Sequence, residues 1–344
     1  MDNRASPDVD RIPKAGTRSA LTARTTVAFA IILLLAFVPV IAGLAGQLFY
    51  VTLISRMMIF ALAALGLNLI LGYGAMVSFG HALYIGIGAY AVGILSFYGV
   101  TNGYAHVATA LIAGVIISTL VGAVCLRTTG VAFIMITLAF AQMFYFVAVS
   151  LKQLGGDDGY GLPSRSNFGI IDLSNNTTLY YVIFVALLLV LYFLFRLIHA
   201  PFGAALRGCK QNERRMRAMG FATQRIKLVA YIISALVCVL SGVLLANLTR
   251  FVSPSYMSWI ASGDILLMVV FGGMGTLIGP ILGAIAWLSL EEVLSSFSLG
   301  LPWDIDEFVR DHWMIVLGAL VIVAALRLKN GLYGYLANRD EAGS

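Results

Sequence analysis

The sequence predicts an all-α integral membrane protein, a polytopic helical bundle of about ten transmembrane helices with Gly-broken hairpins. Three observations predict it. Of 344 residues 60% are hydrophobic and 11% charged, with mean hydropathy +0.93, whereas a water-soluble fold carries about a quarter charged residues. Several separate apolar runs exceed the roughly 18 residues that mark a membrane span. The 35 glycines suit close helix packing in lipid and also deliberate breaks in helices.

Taken in order, a polar N-terminal tail, 1–26, holds Arg4, Arg11, Lys14, Arg18 and Arg24 ahead of a transmembrane domain over 27–328. The first apolar run, Val27 to Gly46, is too long for a signal-peptide core and reads as an uncleaved span. Leu48 to Leu71 is the second, with Arg56 near its start, where a long cationic side chain snorkels to the outer interface. It runs into GLNLILGYGAMVSFGHALYIGIGAYAVGIL, residues 66–95, whose seven glycines are too many for an uninterrupted helix pair. Backbone broken at membrane depth is tolerated where it is buried in protein or lines a cavity. Asn68, Ser78, Gly80 and His81 are therefore candidates for the wall of a path through the membrane. Helix contact through glycine, with His81 as an interhelical hydrogen bonder, is the equally open reading.

Further spans are expected from Ala105 to Leu126, followed by Arg127, and from Val131 to Val149. Gln142 in the latter is either an interior hydrogen bonder or a path residue. The longest polar connection, about 151–177, is read as an outer loop; its Asp157 and Asp158 either contact a substrate-delivering protein or form a solvated turn. Thr178 to Ile198 and Lys227 to Leu248 cross again. Asp264 is placed to cap the next helix. Residues 265–290 repeat the theme of a Gly-broken apolar hairpin, with Gly272, Gly273, Gly275, Gly279 and Gly283, and Gly272 and Gly275 join the path candidates. An acidic stretch with Asp304, Asp306, Glu307 and Asp311 leads to a last span from Trp313 to Leu326 and a tail, 329–344. With both termini inside, all basic residues but Arg56, Lys152, Arg165, Arg250 and Arg310 fall on the cytoplasmic side, which requires an even number of crossings.

The densest charge lies between two of these spans. His199 to Tyr231 holds Arg207, Lys210, Arg214, Arg215, Arg217, Arg225 and Lys227 against one acid, Glu213. A helix is expected from Gln211 to Met219, with Met216 and Met219 on one face at (i, i+3) spacing and Gly220 ending it. A basic loop beside spans serves as the topological signal that holds it in the cytoplasm and as a contact for anionic lipid head groups. A short helix held outside the membrane also presents a face to a soluble partner. The net charge of +6 needs no nucleic acid, since the same rule explains it.

Two stretches carry a resemblance. Pro201, Phe202, Gly203, Ala205, Leu206, Arg207, Asn212, Glu213, Gly220, Lys227 and Leu228 fall in the order of the cytoplasmic loop of branched-chain amino-acid ABC transporter permeases. Gly66, Asn68, Gly72, Tyr73, Ser78, Gly80, His81, Gly86, Gly88 and Tyr90 match the other signature of that family. The chain is similar to its LivM/LivH type over about 50–325. Arg215 and Met216 stand where the wider importer pattern has alanines. The resemblance implies a heterodimer with a second, related permease, two ABC ATPase subunits on the cytoplasmic face, an external substrate-binding protein and a bacterial-type inner membrane. It implies that Arg207, Asn212, Glu213, Arg214 and Gly220 form the ATPase-coupling loop. It implies branched-chain or related amino acids as cargo.

No G-x-x-x-x-G-K-[ST] loop is present, so a nucleotide would bind another polypeptide, and no cofactor is expected on this chain. Cys125, Cys209, Cys238 and the four histidines have neither metal nor nucleophile spacing, so a membrane enzyme is a poor fit. The rival is an ion-gradient-driven secondary transporter, which commonly holds Asp, Glu or Lys in mid-membrane. The expected span centres carry none.

Overall fold

A computed structural model describes residues 17–44, 46, 48–169, 173–296, 313–327 and 331–332. Its helices are α1 (Thr17–Leu44), α2 (Leu48–Gly72), α3 (Ala82–Phe97), α4 (Gly103–Cys125), α5 (Val131–Ser150), α6 (Asn176–His199), α7 (Pro201–Gln211), α8 (Glu213–Ala218), α9 (Thr223–Thr249), α10 (Trp259–Gly272), α11 (Gly279–Ser295) and α12 (Trp313–Arg327). Five of these, over Phe49–Leu71, Gly103–Cys125, Val131–Ser150, Asn176–His199 and Thr223–Thr249, are long and apolar enough to cross a membrane. Ala30–Gly43, Ala82–Phe97 and Trp259–Gly272 are apolar but shorter. The fold is thus an all-α membrane protein. The acidic stretch 304–311 and most of the C-terminal tail lie outside the described residues.

The bundle is built around α2 and α9. Of their most apolar windows 78% and 67% is buried, against 28% in α4 and 22% in α5, so α2 and α9 form the centre and α4 and α5 the rim. Helices that are hydrophobic all round belong in such interiors. α9 packs on α2, α3 and α4, while α11 and α10 pack on each other and on α2. Small residues let the backbones approach: a Cβ on Gly66 would stand 2.8 Å from the Ser234 carbonyl oxygen, and one on Gly88 would strike that of Val239. This is how helices associate in lipid, where apolar burial gives no net drive.

Both apolar glycine segments break as the sequence predicts. α2 ends at Gly72 and the chain runs non-helically to His81 before α3; α10 and α11 are separated by residues 273–278. A two-stranded ribbon, β1 (Tyr160–Gly161) with β2 (Phe251–Val252), ties the long polar connection to the segment after α9.

α1 begins at Thr17, within the polar stretch 1–26, where Ala20, Leu21, Ala23 and Arg24 favour helix. Three expectations are corrected. The basic segment forms two helices rather than one from Gln211 to Met219: Asn212 is extended (φ −158°, ψ 97°) and caps the second. Met216 is buried but Met219 is 57% exposed, so they share no packed face. Asp264 is not a cap, for Ser258 takes that place by accepting from the Ala261 N–H (3.2 Å), and Asp264 lies within α10.

Candidate functional site

The basic loop is latched by one carboxylate. Asn212 leaves α7, and its Oδ1 accepts from the Arg215 N–H (3.0 Å), the bond an N-cap makes with the third residue of its helix. α8 then ends on Gly220, whose φ of +86° only glycine adopts freely. The Gly220 N–H donates to the Arg217 carbonyl and that of Phe221 to the Met216 carbonyl, a Schellman closure. The cap sets Glu213 at the start of α8 and points it back to α9, where its Oε2 accepts from Lys227 Nζ (2.5 Å) and its Oε1 from Thr223 Oγ1 (3.1 Å); Oε1 also accepts from Arg217 Nη2 (2.6 Å) one turn along α8. Partial burial pushes the carboxyl up, but the bonds from Lys227, Arg217 and Thr223 outweigh this and hold it down at about 2. Met216 packs under the helix, 2.7 Å from where a Cβ on Gly208 would stand.

The sequence-predicted loop residues divide into anchors and free cations. Arg207 Nη1 donates to the Ile198 carbonyl (3.0 Å) at the end of α6, so it fastens the loop. Arg214, Arg215 and Arg225 are exposed, with no acidic partner among the described residues. Lys210 reaches furthest: its Nζ donates to the Gly72 carbonyl (2.7 Å) at the C-terminus of α2, where the helix dipole favours a cation. Loop and first break enclose a cavity of about 330 Å³ between Ala75, Thr128, Phe133, Lys210, Glu213 and Lys227.

From the same turn of α2 Asn68, 1% exposed, clasps the second break. Its Oδ1 accepts from the Gly275 N–H (2.9 Å) and its Nδ2 donates to the Thr276 carbonyl (2.7 Å). Gly72 allows this approach, since a Cβ there would run into the Gly275 nitrogen. Gly275 itself needs a positive φ (+78°). Lys210 thus joins the basic loop to the end of α2, and Asn68 joins that end to the α10–α11 turn, while Glu213 ties the loop to α9.

Ser78 and His81 belong to a buried network. Ser234 Oγ donates to the Gly66 carbonyl (2.6 Å), so His81 Nε2, 2.9 Å from that hydroxyl, carries the proton, and Nδ1 accepts from Ser78 Oγ (2.9 Å). Gly80 packs against the Thr137 backbone and Gly272 against that of Gly279. His81 and Ser78 are fully buried, so in this conformation both act in helix packing. Gln142 is half-buried on α5. Asp157 and Asp158 are exposed at the opposite end of the bundle from the basic loop, and Asp157 accepts from Tyr145 Oη (3.4 Å). The sequence reading missed Lys210, Thr223, Lys227 and Ser234 as tying residues; only the matched Lys227 carried a signal. Among the described residues no group of His, Cys, Asp and Glu has the arrangement of a metal site.

Comparison with known proteins places this geometry. A family model described as "Branched-chain amino acid transport system / permease component" matches residues 49–325. The chain is 27% identical over 299 residues to the high-affinity branched-chain amino acid transport system permease protein LivM of Escherichia coli K12, covering 80% of this chain and 68% of that one. It is 26% identical over 295 residues to LivH of the same organism, covering 80% and 91%. Against the probable LivM of Methanocaldococcus jannaschii it is 24% identical over 315 residues, covering 80% and 90%. No solved structure matches. The chain belongs to the family of permease components of the branched-chain amino acid transport system, a non-catalytic, multi-pass membrane subunit.

Proposed function

We propose that this chain is one half of the translocation path of an ATP-driven importer for branched-chain or related amino acids, embedded in the cytoplasmic (inner) membrane with both termini in the cytoplasm and about ten crossings. It pairs with a second, related permease. Two ATPase subunits dock on α7 and α8 and bind the nucleotide, so the chain needs no cofactor of its own. An external binding protein delivers the amino acid at the far end, where Asp157 and Asp158 are exposed.

The observation that supports this most is the two-link connection from the basic loop to both glycine breaks, Lys210 to Gly72 and Asn68 to Gly275, with Glu213 fastening the loop to α9. Arg207 and Glu213 fasten the loop, and Arg214 offers an unpaired cation to a partner. Movement of α8 then pulls on α9 through Lys227, movement of α7 pulls on α2 through Lys210, and α2 carries the α10–α11 turn through Asn68. Gly272 and Gly275 let that turn change shape. Asn68, Ser78, Gly80, His81 and Gln142 are exposed to cargo when the packing around the breaks opens.

Reconstitution with both ATPases, the second permease and the binding protein tests the reading. Leucine uptake should require ATP, and Glu213→Ala should leave hydrolysis running while uptake falls. Uptake by this chain alone along an ion gradient would mark a secondary carrier instead.

A further inference from the structure

The cavity of about 330 Å³ between the basic loop and the first break falls in the size range of small-molecule sites, about 300–1,000 Å³. Its lining is of two kinds. Met76, Val77, Leu126, Phe133 and Ile134 are apolar, while Lys210, Glu213 and Lys227 bring charge from α7, α8 and α9.

Those charges do not balance. Lys227 Nζ is paired with Glu213, but Lys210 has no carboxylate partner among the described residues and spends one donor on the Gly72 carbonyl. An ammonium carries three donors, so two on Lys210 stay open. The lining thus sets two cations against one anion. α5 adds to the surplus: Gly130, on the lining, stands at the N-terminus of this 20-residue helix and gives it no side-chain cap, so the positive end of the helix opens beside the cavity. Ala75, also on the lining, holds a φ of +54°, a left-handed conformation uncommon outside glycine, and such strain gathers at ligand clamps.

We propose that this cavity binds a small aliphatic monocarboxylate, its carboxylate on Lys210 and the start of α5 and its hydrocarbon chain against Phe133 and the other apolar residues. One negative charge cancels the surplus. An amino acid of the same shape cancels nothing net and sets its own ammonium beside two lysines, while Glu213 already accepts from three donors. The cavity therefore tells a carboxylic acid from the amino acid it resembles. A ligand in place bridges α7 to α5 and stiffens the loop. On the importer reading above, that bridge resists the movement of α7 that pulls on α2, and the acid acts as a brake.

The test is equilibrium binding of labelled isovalerate to the purified full-length chain in detergent. Isovalerate should bind saturably. Acetate, which leaves the apolar lining uncovered, and leucine, which adds the ammonium, should each displace it only at about tenfold higher concentration or more. Lys210→Met should weaken binding by about tenfold or more, the loss of a charge-assisted bond. Ile134→Trp fills the cavity and should abolish binding with every charge in place. Amide exchange over residues 210–221 should slow at saturation. Displacement by leucine or acetate at the same concentration as isovalerate, unchanged binding in either variant, or exchange that does not respond would overturn the assignment. These measurements need neither ATPase nor transport: if isovalerate binds as expected while the full complex moves no leucine, the site stands and the importer reading falls.

Discussion

Glu213 accepts from three donors on two elements, and its ionisation state follows from them. Its folded pKa of about 2 lies below the ordinary 4.5. A depressed carboxylate stabilises fully above its ordinary pKa, and that contribution is lost as the pH falls through the folded value. Amide exchange over residues 213–221 should therefore be flat in relative protection from pH 5 to 8 and rise as the pH drops from about 4.5 towards 2. Glu213→Gln should show the faster exchange at neutral pH. At Gly220 the demand is conformational: a β-branched residue at φ +86° costs about 1–2 kcal/mol. Gly220→Val should thus loosen α8 and lower the uptake obtained per ATP hydrolysed, without reducing the amount of protein inserted. Asn68 is the most buried of the linking residues. Asn68→Ala leaves the part-buried Gly275 N–H and Thr276 carbonyl without their partner, at up to about 1 kcal/mol each, the low end of the range for a fully buried group, and a thermal melt in detergent should register the loss.

Among the elements, the α10–α11 hairpin and the end of α2 move together or not at all, because Asn68 and the bare Gly72 backbone hold them in contact. Gly72→Ala should force them apart, and cysteine cross-linking between the α2 end and residues 274–276 should then fall relative to the unsubstituted chain. Most elements were legible in the sequence because apolar length marks spans and glycine clusters mark breaks, both local properties. The basic loop was half legible. Charge and the Gly220 stop were visible, but Asn212 was read as a helical residue when its short side chain serves better as a cap. The clasp was not legible at all, since Asn68 meets Gly275 and Thr276 only through the fold. For the same reason Asp264 was read as a cap and not as a residue within α10.

For the whole molecule, α2, α3 and α9 form a buried core while the rim helices α4 to α6 keep exposed apolar faces, as a subunit surrounded by lipid requires. In the proposed importer the work enters at the basic loop, from ATPases on other polypeptides. The most direct measurement is leucine accumulation in sealed proteoliposomes, holding either this permease alone or the full set with its companion permease, both ATPases and binding protein. Accumulation that appears only in the full set, and only with ATP, is the result this account predicts. Concentration of leucine by the lone permease, driven by a proton or sodium gradient, would contradict it.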